Sequence, residues 1–179
     1  MSFYTLISDA AALFLLWLLL QAGVHKLKPS NQGYYRDLLA DYGGVFKKFA
    51  EVLSPALGVV ECLLGLALLI PASRSAAAGI ALLLLGGYFL ALAWQLYQGK
   101  KDMDCGCAGP GFDLKISPAL LWRNAALMLI AASCFTAGSG FGWWQSLNAL
   151  AFALVLVLIY ICSEGLLANA QKIKALRSS

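Results

Sequence analysis

The sequence predicts an all-α integral membrane bundle of four to five transmembrane helices with an interfacial amphipathic helix. Three observations carry that expectation. Of 179 residues, 61% are hydrophobic and 12% charged, roughly half the charged share of ordinary soluble domains. Mean hydropathy is +0.76. The apolar residues also gather into long runs of about 20, the length a helix needs to cross a bilayer core.

Those runs cover residues 7–24, 52–70, 76–97, 118–137 and 146–167, and the length suits one membrane domain over 1–179. The first run has neither a basic leader nor a small-residue cleavage site, so it is expected to be retained rather than removed as a signal peptide. Between the first two runs, Tyr34, Tyr35, Leu38, Leu39, Tyr42, Phe46 and Phe49 recur at three- and four-residue steps among charged residues. That pattern predicts an amphipathic helix over about 31–50, broken at Gly43-Gly44. It suits a place in the membrane interface or a cap over the bundle equally well. The second and fourth runs both begin with Ser-Pro-Ala-Leu, at Ser54 and Ser117. Serine as N-cap and proline at the first helical position start a helix well, and the shared start hints at an internal repeat.

The net charge of +4 is too small to argue for nucleic acid and reads as a sidedness signal. Lys26, Lys28, Arg36, Lys47 and Lys48 fall in the first long loop. Lys100, Lys101 and Lys115 fall in the third, and Lys172, Lys174 and Arg177 in the tail. The opposite side carries Arg74 alone. The bias of Lys and Arg toward cytoplasmic loops places the N-terminus outside, with the C-terminus and the 98–117 loop inside.

Two charges lie within the runs. Counted from Ser54 and Ser117, Glu61 and Arg123 sit roughly 9–10 Å deep at 1.5 Å per residue. An intramembrane charge seeks a partner, so an Arg123–Glu61 pair is expected, with Asn124 beside it. The alternative is that Arg123 snorkels while Glu61 is protonated or lines a small wet pocket. Gln21, His25 and Gln95 fall toward the same face, and His25 is a candidate proton carrier. The opposite third reads as almost bare of polarity.

Dense polar chemistry is concentrated at Cys105-Gly106-Cys107. Five cysteines cannot all pair, so no closed disulfide framework follows. Two thiols one residue apart can cycle between dithiol and disulfide, the small ring being expected to be strained and relatively oxidising. They can also chelate a soft metal, completed by Asp102, Asp104 or His25. Structural zinc asks for four ligands, commonly at wider spacing, which favours redox chemistry here. Cys62, Cys134 and Cys162 read as small apolar residues.

Gly23-Val24-His25-Lys26-Leu27, Pro55, Glu61, Asp104-Cys105-Gly106-Cys107 and Arg123-Asn124 together resemble the MauE family of methylamine-utilisation membrane proteins. That family lies within the wider DoxX-like group, and the likeness runs over about residues 6–137. The resemblance implies a bacterial inner-membrane protein that helps mature a disulfide-rich periplasmic client, such as the small β-subunit of an amine dehydrogenase. It also implies a thioredoxin-like partner and Cys105 and Cys107 as the exchange pair. One thiolate would attack a partner's disulfide and the other would resolve it, with Glu61 or His25 taking the proton. A quinone is a candidate electron acceptor, in a pocket of Trp94, Trp122 and Tyr97. A periplasmic client calls for thiols reachable from outside, whereas the charge pattern puts the loop inside. Two rivals stand beside this reading: a soft-metal transporter or dock using Cys105 and Cys107, and a non-catalytic assembly factor that depends on packing at Gly86-Gly87.

Overall fold

Apolar runs separated by glycine, proline and charge fold into six helices, seen in a computed structural model that describes residues 3–100, 103–106, 109, 114–135 and 143–178. They are α1 (Phe3–Leu27), α2 (Pro29–Asp41), α3 (Gly44–Ala67), α4 (Pro71–Tyr97), α5 (Pro118–Ser133) and α6 (Trp143–Ser178). Among the described residues four helices are long and apolar enough to cross a membrane, and α5 is a shorter apolar helix. At 16 residues α5 rises about 24 Å, against about 54 Å for the 36 residues of α6. The chain is an all-α, multi-pass membrane bundle, as its composition predicts.

α1 is the central helix and packs against α2, α3, α5 and α6, while α4 packs on α3 and α5. Its inner face is Ala11, Ala12, Phe14, Leu15 and Leu18, buried against Leu64 of α3 and Leu68 at its C-cap, Ala78 and Ala81 of α4, and Leu127 and Ala131 of α5. Small residues let helix backbones approach in a medium where apolar burial alone gives little drive to associate. The closest approach is the α1–α3 crossing. A Cβ added at Gly23 would lie 2.6 Å from both the Gly58 carbonyl oxygen and the Cys62 sulfur. Only glycine fits there.

The predicted helix over 31–50 breaks where expected, because Gly43 has φ +77, a left-handed conformation that glycine adopts without strain. Its two halves then part company. α2 covers the end of the bundle, with Tyr35 buried, whereas residues from Gly44 onward run straight into α3. Ser54-Pro55 is therefore not a helix start, since Pro55 lies inside α3. Ser117-Pro118 does start α5, with Ser117 extended and Pro118 in the first turn. The repeat suggested by the shared tetrapeptide thus joins two unlike places.

Polarity at the opposite end is also greater than expected. Arg74 of α4 is 3% exposed and paired with Asp9 of α1, and its Nε donates to the Leu68 carbonyl at 3.1 Å. The Ser73 hydroxyl donates to the Ala67 carbonyl at 2.9 Å. These side chains satisfy carbonyls that the end of α3 leaves without helical partners, while Asp9 neutralises the one charge buried there.

Candidate functional site

The loop after α4 is seated on the bundle rather than free above it. Asp104 and Lys115 form an antiparallel bridge, the Cys105 amide donates to the Leu114 carbonyl at 2.8 Å, and the Ile116 amide to the Met103 carbonyl at 3.0 Å. Leu114, Ile116 and Cys105 are buried against Leu92 and Leu120. Gly106 has φ +69, and a Cβ there would collide with Leu38 of α2. At Gly109, φ +83, a Cβ would meet the His25 ring at the end of α1. Gln171 of α6 clasps the loop from outside: the Lys115 amide donates to its Oε1 and its Nε2 donates to the Lys115 carbonyl, both at 2.9 Å.

Cys105 is 7% exposed and disulfide-bonded. Cys62, Cys134 and Cys162 are free, and Cys107 lies outside the described residues. The Cys105 sulfur is 3.9 Å from Nη2 of Arg123.

Arg123 and Glu61 do not pair with each other. Arg123 donates through Nη1 to Glu164 of α6 at 2.7 Å and stacks its guanidinium 5.5 Å from the Tyr160 ring centroid. Glu61, 1% exposed, takes both oxygens to Lys26 Nζ at 2.8 Å and accepts a third bond from the Tyr88 hydroxyl at 2.6 Å. Lys26 also lies 5.5 Å from the Tyr88 ring centroid and 5.7 Å from that of Tyr35. Equal depth from a helix start says nothing about azimuth. The tight Gly23–Gly58 crossing puts the end of α1 beside α3, so the four-carbon stem of Lys26 reaches Glu61 first. A buried charge with a full set of hydrogen bonds is tolerable where a lone one is not.

Lys26 reads from the sequence as a loop charge, and Glu164, Tyr88 and Gln171 are not among its candidate site residues. A signal for two of them exists. Tyr160, Glu164 and Gln171 fall at i, i+4 and i+11, one stripe of α6, and that stripe meets Arg123 and the Cys105 loop. Asn124 is 4% exposed, with no partner for its Nδ2. His25 has a buried Nδ1 without a partner and faces Gly109. Gln95 is buried, whereas Gln21 is exposed and stands apart.

Inside the ring formed by these groups is a cavity of about 390 Å³, walled by leucines of α1–α4 together with Glu61, Tyr88, Cys105, Arg123 and Asn124. That volume is within the range of small-molecule and cofactor sites. Trp94, Trp122 and Tyr97 are not among its walls. They are 60%, 80% and 85% exposed and face outward, as aromatics of a membrane protein commonly do. Burial pushes the hydroxyls of Tyr35 and Tyr42, at the cavity's α2 side, upward in pKa, so both stay neutral. Among the described residues no three His, Cys, Asp or Glu gather as a metal site; Cys107 and Asp102 lie outside them.

A family model described as "Methylamine utilisation protein MauE" matches residues 4–137. The chain is 31% identical over 164 residues to the methylamine utilization protein MauE of Methylophilus methylotrophus, covering 86% of this chain and 82% of the relative. It is 30% identical over 138 residues to that of Paracoccus versutus, covering 72% and 74%. With that of Paracoccus denitrificans the identity is 28% over 134 residues, covering 71% and 67%. No solved structure matches the chain. The family model takes in the Arg74–Asp9 and Lys26–Glu61 pairs, Arg123 without its α6 partner Glu164, and the Cys105 loop, and on that match this chain is a member of the MauE family.

Proposed function

We propose that this protein is a membrane thiol–disulfide exchange factor that supports methylamine utilisation by maturing a disulfide-rich periplasmic protein. Cys105 and Cys107 are the exchanging pair on this reading, and a thioredoxin-like protein is the partner. The observation that carries it is Cys105 itself: disulfide-bonded, on the wall of an intramembrane cavity, with a guanidinium 3.9 Å from its sulfur. When an incoming thiolate attacks a disulfide, one sulfur leaves as a thiolate. A fixed cation beside that sulfur stabilises the developing charge. Glu164 holds Arg123 in place at 2.7 Å, so the cation costs no reorganisation during the step. His25, facing the loop at Gly109, is the group placed to exchange protons with it.

The charge pattern puts the Cys105 loop on the cytoplasmic side with the N-terminus outside, and we keep that orientation. The test is thiol trapping with a membrane-impermeant maleimide, with Cys62, Cys134 and Cys162 replaced by serine. Labelling of inverted vesicles that requires prior mild reduction is the expected result. Labelling of intact cells after reduction would reverse the orientation and let the client meet the loop directly. Labelling without any reduction, on either side, would sink the exchange reading in favour of a reduced, metal-type thiol pair.

A further inference from the structure

The cavity walls carry an imbalance of hydrogen-bonding capacity. Five buried side-chain nitrogen or oxygen atoms among the described residues have no partner: His25 Nδ1, Ser54 Oγ, Gln95 Oε1, Arg123 Nε and Asn124 Nδ2. Three of their residues, Ser54, Arg123 and Asn124, line this one cavity. Ser54 and Asn124 are 3% and 4% exposed, and the Arg123 side chain 8%. All three of those atoms donate hydrogen bonds, two of them as N–H groups that cannot accept. A buried donor left unsatisfied costs free energy comparable to a lost hydrogen bond, and the Glu61 carboxylate in the same wall is already taken by Lys26 and Tyr88. The fitting occupant is an apolar molecule that presents acceptor oxygens and no obligatory donors.

Chemistry at the same wall narrows the class. Cys105 lines the cavity, and a disulfide that oxidises a thioredoxin-like dithiol becomes two thiols, which must lose two electrons and two protons before the next cycle. A carboxylate, a lysine and a phenol stand linked by hydrogen bonds on the α1–α3–α4 side. We propose that the cavity binds a membrane quinone, its ring carbonyls accepting from Asn124, Ser54 and Arg123 and its apolar tail lying among the leucines. The quinone is then the oxidant that regenerates the Cys105 disulfide. The inference rests on the exchange reading above. In the step, two S–H bonds break and one S–S bond forms. The two electrons and two protons pass to the quinone, whose two carbonyls become the two hydroxyls of a hydroquinone. Arg123 meets the negative charge that grows on one carbonyl oxygen, and the Lys26–Glu61–Tyr88 cluster is the proton reservoir at the cavity wall. This places the acceptor inside the bundle, away from the outward-facing Trp94, Trp122 and Tyr97.

The test uses the full chain in detergent, pre-reduced, desalted and mixed with decylubiquinone without any protein partner. Thiol loss is followed by gel shift and quinone reduction by ultraviolet absorbance. The expected result is one quinone consumed per disulfide formed. Ser54→Ala and Asn124→Leu should each raise KM for the quinone about tenfold, with the rate at saturation changed less than threefold. Cys162→Ser, at an exposed free thiol, should leave both constants alone. Melting temperature in detergent identifies a variant that has lost its fold, in which case the other variant decides. A reduced protein that decylubiquinone does not reoxidise, or equal KM values across folded variants, would overturn the proposal. Failure of the exchange reading looks different: the quinone reoxidises the protein, yet the disulfide form oxidises no thioredoxin-like dithiol.

Discussion

Glu61 is a carboxylate 1% exposed with two lysine bonds and one tyrosine bond. Removing one member of such a pair strands the other, which typically costs about 3–5 kcal/mol. Glu61→Leu should therefore destabilise the protein by that order in detergent unfolding, and the double change Lys26→Met with Glu61→Leu should recover most of it. A double as unstable as the single would mean that Lys26 is not the partner that matters. Arg123 acts on chemistry as well as on folding, since it is also half of a buried pair with Glu164. Arg123→Leu should slow reduction of the Cys105 disulfide by dithiothreitol about tenfold, the scale of one lost charge-assisted bond, with Arg123→Lys falling between. Equal rates in all three would remove the guanidinium from the exchange step. These partners were illegible in the sequence for a simple reason. It locates charges by depth along a helix, but pairing depends on which faces the helices turn to one another.

Among the helices, the α1–α3 crossing sets the site. Gly58→Val must displace the Gly23 carbonyl and Leu27, each 3.0 Å from a Cβ built there. Overpacking of this kind costs about 1–3 kcal/mol, and it should also loosen the Lys26–Glu61 pair that the crossing brings together. Gly87→Ala is the contrast: a Cβ at Gly87 has nothing within 4 Å, so the change should be neutral or stabilise α4 by up to about 1 kcal/mol. Thermal unfolding of the two variants separates them, and a harmful Gly87→Ala would point instead to a partner helix on that face. At the other edge, Gln171 gives the loop both of its amide bonds through Lys115. Gln171→Ala should speed hydrogen exchange of the Cys105 amide roughly fivefold to tenfold, from the loss of about 1 kcal/mol of loop stability. An unchanged rate would show that the packing of Leu114 and Ile116 holds the loop by itself.

For the molecule as a whole, the basic loops predict a sidedness that can be measured. If α5 crosses along with the four longer apolar helices, Tyr4 and Lys174, both exposed, fall on opposite sides. In a background with the native cysteines replaced, Tyr4→Cys should react with an impermeant maleimide in intact cells and Lys174→Cys only in inverted vesicles. Reaction of both from one side would mean that the short α5, about 24 Å long, does not cross.

The amino-acid sequence determined the membrane class, the main spans, the Gly43 break, the singular Cys105 loop and the family resemblance. Each of these is written in local terms, as hydropathy over about 20 residues, a left-handed turn or two thiols flanking one glycine. Tertiary structure alone decided that Glu61 belongs to Lys26 and Tyr88, that Arg123 belongs to Glu164 and the Cys105 sulfur, and that Pro55 lies inside a helix. It also decided that three residues with unpartnered buried donors line one cavity. The physical reason is rotation. A change of one residue turns a helical side chain by about 100°, so which buried charges meet is set by how the helices are turned and packed, through contacts such as Gly23 on Gly58.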